Sequence, residues 1–429
     1  MIIQNNKTTL VSPSIKRPLF TNPETKILEY LIKNRPAHPQ KVILNTSPLE
    51  DLDETAAHIT AAALQKLGYI DIQAVIVNLY PSEKRAMVAH QELALLGLHN
   101  IAIGKGSNIR GRKVLRDDEF AELETNIQPH FEEATNLMMN ILINNISYDQ
   151  RVTLYALSAM TDFAQLFSGP LSQYPGLANR KIKEIGLMSG VTTDKFGNLL
   201  LRREFLTPNK IASNNTFDYA SAQLLYKKLQ RQNIPTSTLS RDGVYPVALD
   251  SSIFEELGEH PLVSRMKDMR KNLISSFFRS ALAPVGNQYR GTWDESKDID
   301  WFLHSPLANL GAYEGEKTLT EVVSDLETKR KEYDKTYPED PDISFDEFWK
   351  YASATYGETV YKSAKLVPFY DPLQILTSID PLKNLFCPKI VNIRGIEHKI
   401  IGLSSKESGI LKAEEIKTTL SAVLKMGLC

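Results

Sequence analysis

Short apolar runs alternate with helical stretches along most of this 429-residue chain, and this alternation limits the possible folds more than any other feature. Six runs predict strands: KVILN (41–45), IDIQAVIVNLY (70–80), NIAIGKG (100–106), VTLYALS (152–158), IKEIGLMSG (182–190) and IPTSTLS (234–240). Helical patterns lie between them, over 54–67, 84–96 and 218–232 among others. This order is typical of parallel pairing, because parallel strands need a crossover connection. We predict an α/β fold in which a mostly parallel open sheet has helices on both faces.

The remaining segments predict additions to this sheet. Residues 1–38 are polar and read as an N-terminal arm with one helix near 25–33, followed by a single domain over 39–429. Within that domain, 266–350 is a helix-rich segment and 388–429 predicts a hairpin followed by a final helix. The run KLVPFYDPLQIL (365–376) predicts a return to the sheet. The three tryptophans, Trp293, Trp301 and Trp349, are interpreted as packing residues of the helical segment.

Composition excludes several classes of function. The chain carries 50 basic and 51 acidic residues, so its overall charge of −1 predicts neither nucleic-acid binding nor binding to an anionic membrane surface. No run of 18 apolar residues predicts a membrane span. Two cysteines are too few for a disulfide framework and favour a reducing compartment. The first residues lack the apolar stretch of a signal peptide, so we expect a cytoplasmic protein.

An acidic cluster follows the first predicted strand. Glu50, Asp51, Asp53 and Glu54 stand within five positions, where the strand gives way to a helix. One interpretation is a helix N-terminus enriched in acids that suit its dipole. The other is a site for a hard cation, which binds several convergent oxygens. The second interpretation gains weight because ligands of open α/β sheets lie beyond the carboxyl ends of the strands.

Polar residues also follow the other predicted strands. Asn214 and Asp218 could each simply cap the next helix, and Asp371 before a proline could be a turn residue. Together, however, these positions predict one polar site at one edge of the sheet. They are Asn78, the segment S-A-M-T-D (158–162), the segment M-S-G (188–190), Asn214, Asp218 and Asp371.

These motifs, in this order, resemble those of the nucleoside hydrolase family. The sequence T-S-P-L-E-D-L-D-E (46–54) resembles the aspartate motif that one branch spaces as T-D-P-x-x-D-x-D-D. S-A-M-T-D resembles the family's G-P-x-T-N turn, M-S-G its M-G-G strand end, and D-P-L-Q (371–374) its final D-P-L-A. The resemblance covers roughly 41–265 and 366–386, and it implies the fold of that family.

The resemblance also implies a chemistry, namely hydrolysis of the N-glycosidic bond of a ribonucleoside or a related ribosylated compound with the help of bound Ca²⁺. It further implies a homodimer or homotetramer. By resemblance, Asp53 is the ribose-binding aspartate and Tyr370 stands at the place of the residue that assists the leaving base. Asp51 lies in the same loop and could supply a substitute carboxylate, so the candidate catalytic residues are Asp51, Asp53 and Tyr370. The ligand-binding residues are Asn45, Asn78, Asp53, Asn214 and Asp218. The metal ligands are Ser47, Glu54, Thr161 and Asp371, with Thr161 offering its backbone carbonyl.

Four positions depart from the family pattern. Ser47 replaces an aspartate that serves as metal ligand and general base, and a serine hydroxyl cannot act as a base near pH 7. Glu54 is one methylene longer than the family's aspartate, Tyr370 stands where many members have a histidine, and Ala212 lacks a carboxylate. Two hypotheses follow: a working nucleosidase, or a catalytically inactive binding or effector protein on the same fold. The final helix is compatible with secretion of such an effector and equally with ordinary docking.

Overall fold

The computed structural model describes residues 18–111, 129–146, 150–290, 295–305, 313 and 315–429. Trp293 and residues 1–17 of the predicted arm lie outside these ranges. The strands are β1 Gln40–Thr46, β2 Ile70–Val77, β3 Ala102–Lys105, β4 Glu132–Glu133, β5 Val152–Ala156, β6 Ile182–Met188, β7 Thr236–Leu239, β8 Leu249–Asp250, β9 Leu366–Val367, β10 Phe386–Cys387, β11 Lys389–Ile393, β12 Ile396–Ile401 and β13 Gly409–Ile410.

The helices lie between and after these strands. They are α1 Asn22–Lys33, α2 Asp53–Lys66, α3 Ser82–Leu95, α4 Ala134–Asn140, α5 Thr161–Ser168, α6 Leu177–Lys181, α7 Ser213–Thr216, α8 Tyr219–Arg231, α9 Arg241–Val244, α10 Ile253–Glu256, α11 Pro261–Leu282, α12 Ile299–His304, α13 Leu319–Thr336, α14 Pro341–Ser363, α15 Tyr370–Leu376 and α16 Ala413–Leu428. None of the helices in the described part of the chain is long and apolar enough to cross a bilayer.

Nine strands form the main sheet, in the order β11-β12-β7-β6-β5-β1-β2-β3-β4. All neighbours run parallel except β11 and β12, which form the predicted hairpin. One face packs against α2, α3, α15 and α16, and the other against α4, α5 and α8. The predicted α/β fold, with a mostly parallel sheet between two helical layers, is therefore confirmed.

The chain reverses its direction of travel across the sheet next to β1. It passes from β1 to β2, β3 and β4 on one side and then returns to β5 on the other side. Strand ends meet here: the Asn78 amide donates to the Thr46 carbonyl at 3.1 Å and the Leu157 amide to the Asn45 carbonyl at 3.0 Å. Such a reversal leaves a crevice beyond the carboxyl ends of the central strands, where open α/β sheets bind ligands.

The expected return to the main sheet at 365–376 is wrong. Only Leu366 and Val367 are extended, and they pair with β8 in a separate two-stranded sheet. Asp371 therefore lies in the first turn of α15 and does not end a strand of the main sheet. The apolar run misled the prediction because α15 is buried on nearly all sides, so it shows no amphipathic period. Pro372 is compatible with this helix because proline is tolerated in a first turn.

The helix-rich segment has an apolar cluster of its own, formed by α12, α13, α14 and the second half of α11. The first half of α11 packs into the core under the sheet, so this one helix links both clusters. Trp301 and Trp349 pack against the segment's cluster, which agrees with their interpretation as packing residues.

A buried ion pair joins the first and last helices. Lys425 Nζ donates to both carboxylate oxygens of Glu24, at 2.7 and 2.9 Å, and to Glu256 at 2.8 Å. The side chains of Glu24 and Lys425 are 5% and 1% exposed. Burial alone would raise the pKa of Glu24, but hydrogen bonds from Lys425, Ser421 and Thr21 outweigh it and lower that pKa. The folded state therefore holds Glu24 ionised, and the pair fastens α1 to α16.

We predict that Lys425→Met lowers the free energy of unfolding by about 3 kcal/mol, because it leaves the Glu24 carboxylate buried without its counter-charge. Chemical denaturation at pH 7 measures the loss. As a matched control, Lys417→Met removes an exposed partner of Glu414 on the same helix and should cost less than about 1 kcal/mol.

The depressed pKa of Glu24 fixes the sign of the pH dependence. Its stabilisation is present above the unfolded pKa of about 4.3 and is lost as the pH falls through the lower folded pKa. The difference between wild type and Lys425→Met should therefore shrink in acid. A constant difference down to the acid transition would contradict the ion-pair explanation.

Candidate functional site

The loop that joins β1 to α2, residues 47–52, is held from behind by Arg85 of α3. The buried guanidinium donates from Nη1 to the carbonyls of Ser47 and Pro48, at 3.1 and 2.6 Å. Its Nη2 donates to Glu50 Oε2 at 3.0 Å, in an ion pair whose side chains are almost fully buried. The loop also contains Leu49 at φ 72°, a conformation that few non-glycine residues adopt without surrounding restraint. Arg85 provides that restraint.

The acidic residues of this loop connect to one another and to the start of α15. Asp51 Oδ1 accepts the Asp53 amide at 3.0 Å, and Glu54 Oε2 accepts the Asp51 amide at 3.2 Å. Asp53 Oδ2 accepts the amides of Tyr370 and Asp371, both at 2.9 Å. Segments more than 300 residues apart in sequence are thus joined through one carboxylate.

Burial and mutual repulsion govern the ionisation of these acids. Burial raises the pKa of Asp53 well above its usual range, and the nearby Asp51 carboxylate raises it further. Burial and then the charges of Asp51 and Asp371 raise the pKa of Glu54. The pKa of Asp371 is raised by burial and by Asp53 and Asp51. The cluster therefore favours any partner that brings protons or positive charge.

A chain of short contacts leads from Glu54 into the sheet. Glu54 Oε1 and the Ser47 hydroxyl, the hydroxyls of Ser47 and Ser158, and the Ser158 hydroxyl and Asn78 Oδ1 are each 2.8 Å apart. Two hydroxyl protons cannot serve three hydrogen bonds, and the Asn78 oxygen brings none. A proton on Glu54 completes the chain, in agreement with its raised pKa.

The amide nitrogens of two predicted ligand-binding residues bind to the protein itself. Asn78 Nδ2 donates to the Ala159 carbonyl and to Asp162, both at 2.8 Å. Asn214 Nδ2 donates to the carbonyls of Leu157 and Met188, both at 2.9 Å. Both residues hold the ends of neighbouring strands together at the crevice, and a role in ligand binding stays a prediction.

Thr161 and Asp218 form a separate pair beside these strand ends. The Thr161 hydroxyl donates to Asp218 Oδ2 at 2.9 Å. Asp218 also caps α8, where its Oδ1 accepts the Ser221 amide at 3.0 Å. The capping interpretation of Asp218 is therefore confirmed, while its predicted ligand contact stays a prediction.

Two buried polar groups in the crevice are left without partners. Both side-chain atoms of Asn45 and the Oδ1 atom of Asp53 have no hydrogen-bond partner among the described residues. Asn45 lies near the carboxyl end of β1, on the same edge of the sheet as Ser47, and is 1% exposed. An unsatisfied buried polar atom costs about 1–3 kcal/mol, so these atoms favour a further hydrogen-bonding species in the crevice.

Two tyrosines stand beside the acids. The rings of Tyr245 and Tyr370 are 6.3 Å apart and meet edge to face at 71°. Burial raises the pKa of the Tyr370 hydroxyl, and Tyr245 and the Asp53 charge raise it further. The Tyr370 hydroxyl consequently stays protonated near neutral pH, and it is hydrogen-bonded to Tyr245.

Comparison with solved structures relates this architecture to known proteins. A type III effector protein, XopQ, complexed with adenosine diphosphate ribose, superposes with a TM-score of 0.67 and 18% identity, over 96% of this chain and 100% of that one. The effector protein XOO4466 gives a TM-score of 0.66 and 19% identity, over 96% and 100%. A purine-preferring ribonucleoside hydrolase from Gardnerella vaginalis gives 0.45 and 13%, over 90% and 99%. The chain has a nucleoside hydrolase-like fold. No protein-family model and no curated protein sequence matches it.

The residues expected to bind calcium in this nucleoside hydrolase-like fold do not form a ready site. The Ser47 hydroxyl contacts Glu54 and Ser158, and the Thr161 hydroxyl is bonded to Asp218. Among the described residues, no three His, Cys, Asp or Glu side chains come together in an arrangement that could hold a metal. As arranged, the donor set does not fit calcium, and calcium binding stays a prediction of the sequence.

Two residues of the site went unnoticed in the sequence. Arg85 belongs to the stretch S-E-K-R-A, which reads as the charged surface of a helix, and nothing local marks its guanidinium as buried. Tyr245 begins a short 3₁₀ helix about 125 residues before Tyr370, and only the fold brings the two together. Neither residue leaves a signal in sequence spacing.

We predict that Asp371→Asn stabilises the protein at pH 7 in the presence of a chelator, by about 1–2 kcal/mol. The substitution removes a buried negative charge that Asp53 and Asp51 repel. Because its folded pKa is raised, the penalty is absent below the unfolded value of about 3.9 and grows as the pH rises above it. Denaturation midpoints of both proteins, measured from about pH 4, close to the unfolded pKa, up to pH 7, follow this growth.

Asp325→Asn provides a control of opposite sign. Hydrogen bonds from Tyr356 and Tyr351 lower the pKa of Asp325, so its neutral replacement should destabilise the helical segment. A loss of stability in Asp371→Asn at pH 7 would show that Asp371 has a counter-charge and would refute the repulsion argument.

Proposed function

We propose that the protein binds a ribosylated small molecule at the carboxyl edge of its sheet, with the acids around Asp53 accepting hydrogen bonds from ribose hydroxyls. The observation that carries this proposal is the convergence of three buried acids, Asp53, Glu54 and Asp371, beside unpartnered polar atoms of Asn45 and Asp53. A sugar moiety rich in hydroxyl donors satisfies such acceptors without placing negative charge beside them.

Ribose suits this arrangement chemically. Its adjacent 2′- and 3′-hydroxyls are two donors at a fixed spacing, and an ionised carboxylate is acceptor-only with two oxygens. Hydrogen bonds to a charged acceptor are about twice as strong as neutral ones. Ribose hydroxyls placed against these carboxylates would stabilise their charged form and so oppose the burial and repulsion that raise their pKa values. The similar effector structure that carries adenosine diphosphate ribose supports a ribosyl ligand here.

Calorimetric titration of the full chain with adenosine diphosphate ribose and with adenosine tests the proposal. We expect Asp53→Asn to weaken binding about 10- to 100-fold, because it replaces one charge-assisted acceptor at nearly constant shape. A 2′-deoxy analogue should bind the wild type at least about tenfold more weakly, because an acceptor is left unpaired.

Asp380→Asn is the matched control, since its side chain is 75% exposed and its one ion pair is with Lys383. It should bind both ligands like the wild type. Equal affinity for the ribose and 2′-deoxyribose forms, or an unchanged affinity in Asp53→Asn, would refute ribose recognition by these acids.

A second candidate function is hydrolysis of the N-glycosidic bond, and the placement of Asp51 favours it. Asp51 is half-buried and hence reached by water, whereas Glu54 is buried and bonded to Ser47. In this step Asp51 takes a proton from water as the water oxygen bonds to C1′. The C1′–N bond breaks toward the base, which gains a proton. The Tyr370 hydroxyl, which is hydrogen-bonded to Tyr245, would give that proton to the base.

Ser47→Asp tests whether the missing carboxylate at this position is what limits hydrolysis in a protein that binds the ligand. It restores the acid of the resembled motif, so we expect measurable calcium affinity and at least a tenfold rise in release of free base from a nucleoside. Ser47→Asn is the control of equal size without charge and should gain neither property. If Ser47→Asp gains calcium binding without faster release, Ser47 is not what limits hydrolysis.

The place of action also stays a proposal. Two effector proteins share the fold, which supports delivery into another cell as the alternative to a cytoplasmic enzyme. The expected homodimer or homotetramer stays a prediction. Light scattering of the full chain measures the oligomeric state.

A further inference from the structure

The loop from β6 to α7, residues 191–211, folds into two tight turns. The Thr192 amide donates to the Thr207 carbonyl at 2.9 Å, and the Leu200 amide donates back to the Thr192 carbonyl at 3.0 Å. Arg202 and Phe205 exchange both backbone hydrogen bonds at the second turn. The Asn209 amide closes the loop on the Gly190 carbonyl at 2.8 Å. The loop is therefore an ordered projection with a defined outer face.

The inner and outer faces of this loop differ. Leu199 and Phe205 pack against the core cluster on one side of the sheet. Four other apolar side chains of the loop point to solvent, although the core would accept such residues; they are Phe196 at 70% exposed, Leu200 at 41%, Leu201 at 40% and Ile211 at 66%. Several exposed apolar residues in one short loop mark a surface that binds something.

Basic residues adjoin three of these four apolar residues in the sequence: Lys195 precedes Phe196, Arg202 follows Leu201 and Lys210 precedes Ile211. The loop contains four basic residues and two acidic ones, and the basic residues Lys195, Arg202, Arg203 and Lys210 are all exposed. None of the four forms an ion pair with a carboxylate of the described residues. Lys195 lies 5.0 Å from the Phe196 ring centre. One of the acids, Asp194, already accepts three hydrogen bonds within its own turn. The other acid, Glu204, follows Arg203, so the loop keeps an excess of positive charge.

We propose that the 191–211 loop is a peripheral docking surface for an anionic lipid bilayer. Apolar side chains enter the boundary between headgroups and acyl chains, while the flanking lysines and arginines contact lipid phosphates and carboxylates. The overall charge of −1 averages over this local surface, which is why composition predicted no membrane partner. Two narrow turns can insert between lipid headgroups, whereas a typical protein interface needs a surface of about 800 Å² per partner.

The position of the loop determines which edge of the sheet docking would bring to the lipid. The loop leaves the sheet at Gly190, directly after β6, and the Ser405 amide just beyond β12 contacts the Gly197 carbonyl at 3.4 Å. Both points belong to the carboxyl ends of parallel strands, the edge that carries the acidic crevice. Docking would therefore bring that edge of the sheet to the lipid surface.

Co-sedimentation of the full chain with vesicles tests the proposal. We expect binding to phosphatidylcholine vesicles that contain phosphatidylserine, little binding to phosphatidylcholine alone, and weakening as the salt concentration rises. Arg202→Glu with Arg203→Glu should lower the partition coefficient at least about tenfold. Phe196→Ser with Leu201→Ser should lower it while keeping the salt dependence. These exposed positions leave the fold intact, which circular dichroism checks.

A charge-matched control separates this surface from overall charge. Lys331→Glu with Lys335→Glu makes the same change on the exposed side of α13 and should bind vesicles like the wild type. Absence of binding to phosphatidylserine vesicles, or equal losses in both charge variants, would overturn the proposal. A self-association that only the Arg202 and Arg203 variant loses, without vesicle binding, would assign the surface to a second copy of the chain and overturn it as well.

Discussion

The hydrogen bonds from Arg85 to the loop after β1 are the interaction on which the site depends. An arginine cannot lose its proton, so burying it is expensive unless its donors are satisfied. Here they are satisfied by two carbonyls of the loop and by Glu50. Its charge is therefore neutralised by Glu50, and little of it reaches Asp53 or Glu54. The same interaction that shapes the acidic loop leaves its functional acids without a counter-charge.

Because Arg85 is paired with Glu50, the other buried acids of the site lower the stability of the fold. The reversal of the sheet at β1 brings together the ends of β1, β2 and β5, and their side chains hold one another: Ser158, Asn78 and Asn214 all bond across strands. Against this firm frame, the acids repel one another and remain partly unsatisfied. A protein keeps buried, mutually repelling acids at a cost in stability, and binding sites are where such costs concentrate.

The sequence predicted those features that depend on local pattern. All six expected strands form, as do the helices near 25–33, 54–67, 84–96 and 218–232, because each is an apolar run or a helical pattern flanked by turn or capping residues. The segment 365–376 failed because α15 is buried on nearly all sides and looks like a strand. The site was predictable as a location, since strand ends converge in any parallel sheet.

The hydrogen bonds of the site could not be predicted, because only long-range packing brings Arg85, Tyr245 and the Ser47–Ser158 chain to the acids. Overall charge likewise hid the basic loop at 191–211, since an average over the chain contains no information about position.

Binding and hydrolysis make different demands, and this site meets them unequally. The proposed binding of a ribose needs fixed acceptors, and Asp53 and Asp371 are buried acids that the start of α15 holds in place. Hydrolysis also needs a base in contact with water; Glu54 is buried and bonded to Ser47, whereas Asp51 is half-buried. Acceptors that hold substrate and transition state equally improve affinity without raising the turnover rate. The geometry therefore supports the proposed recognition of a ribosyl group more directly than it supports cleavage.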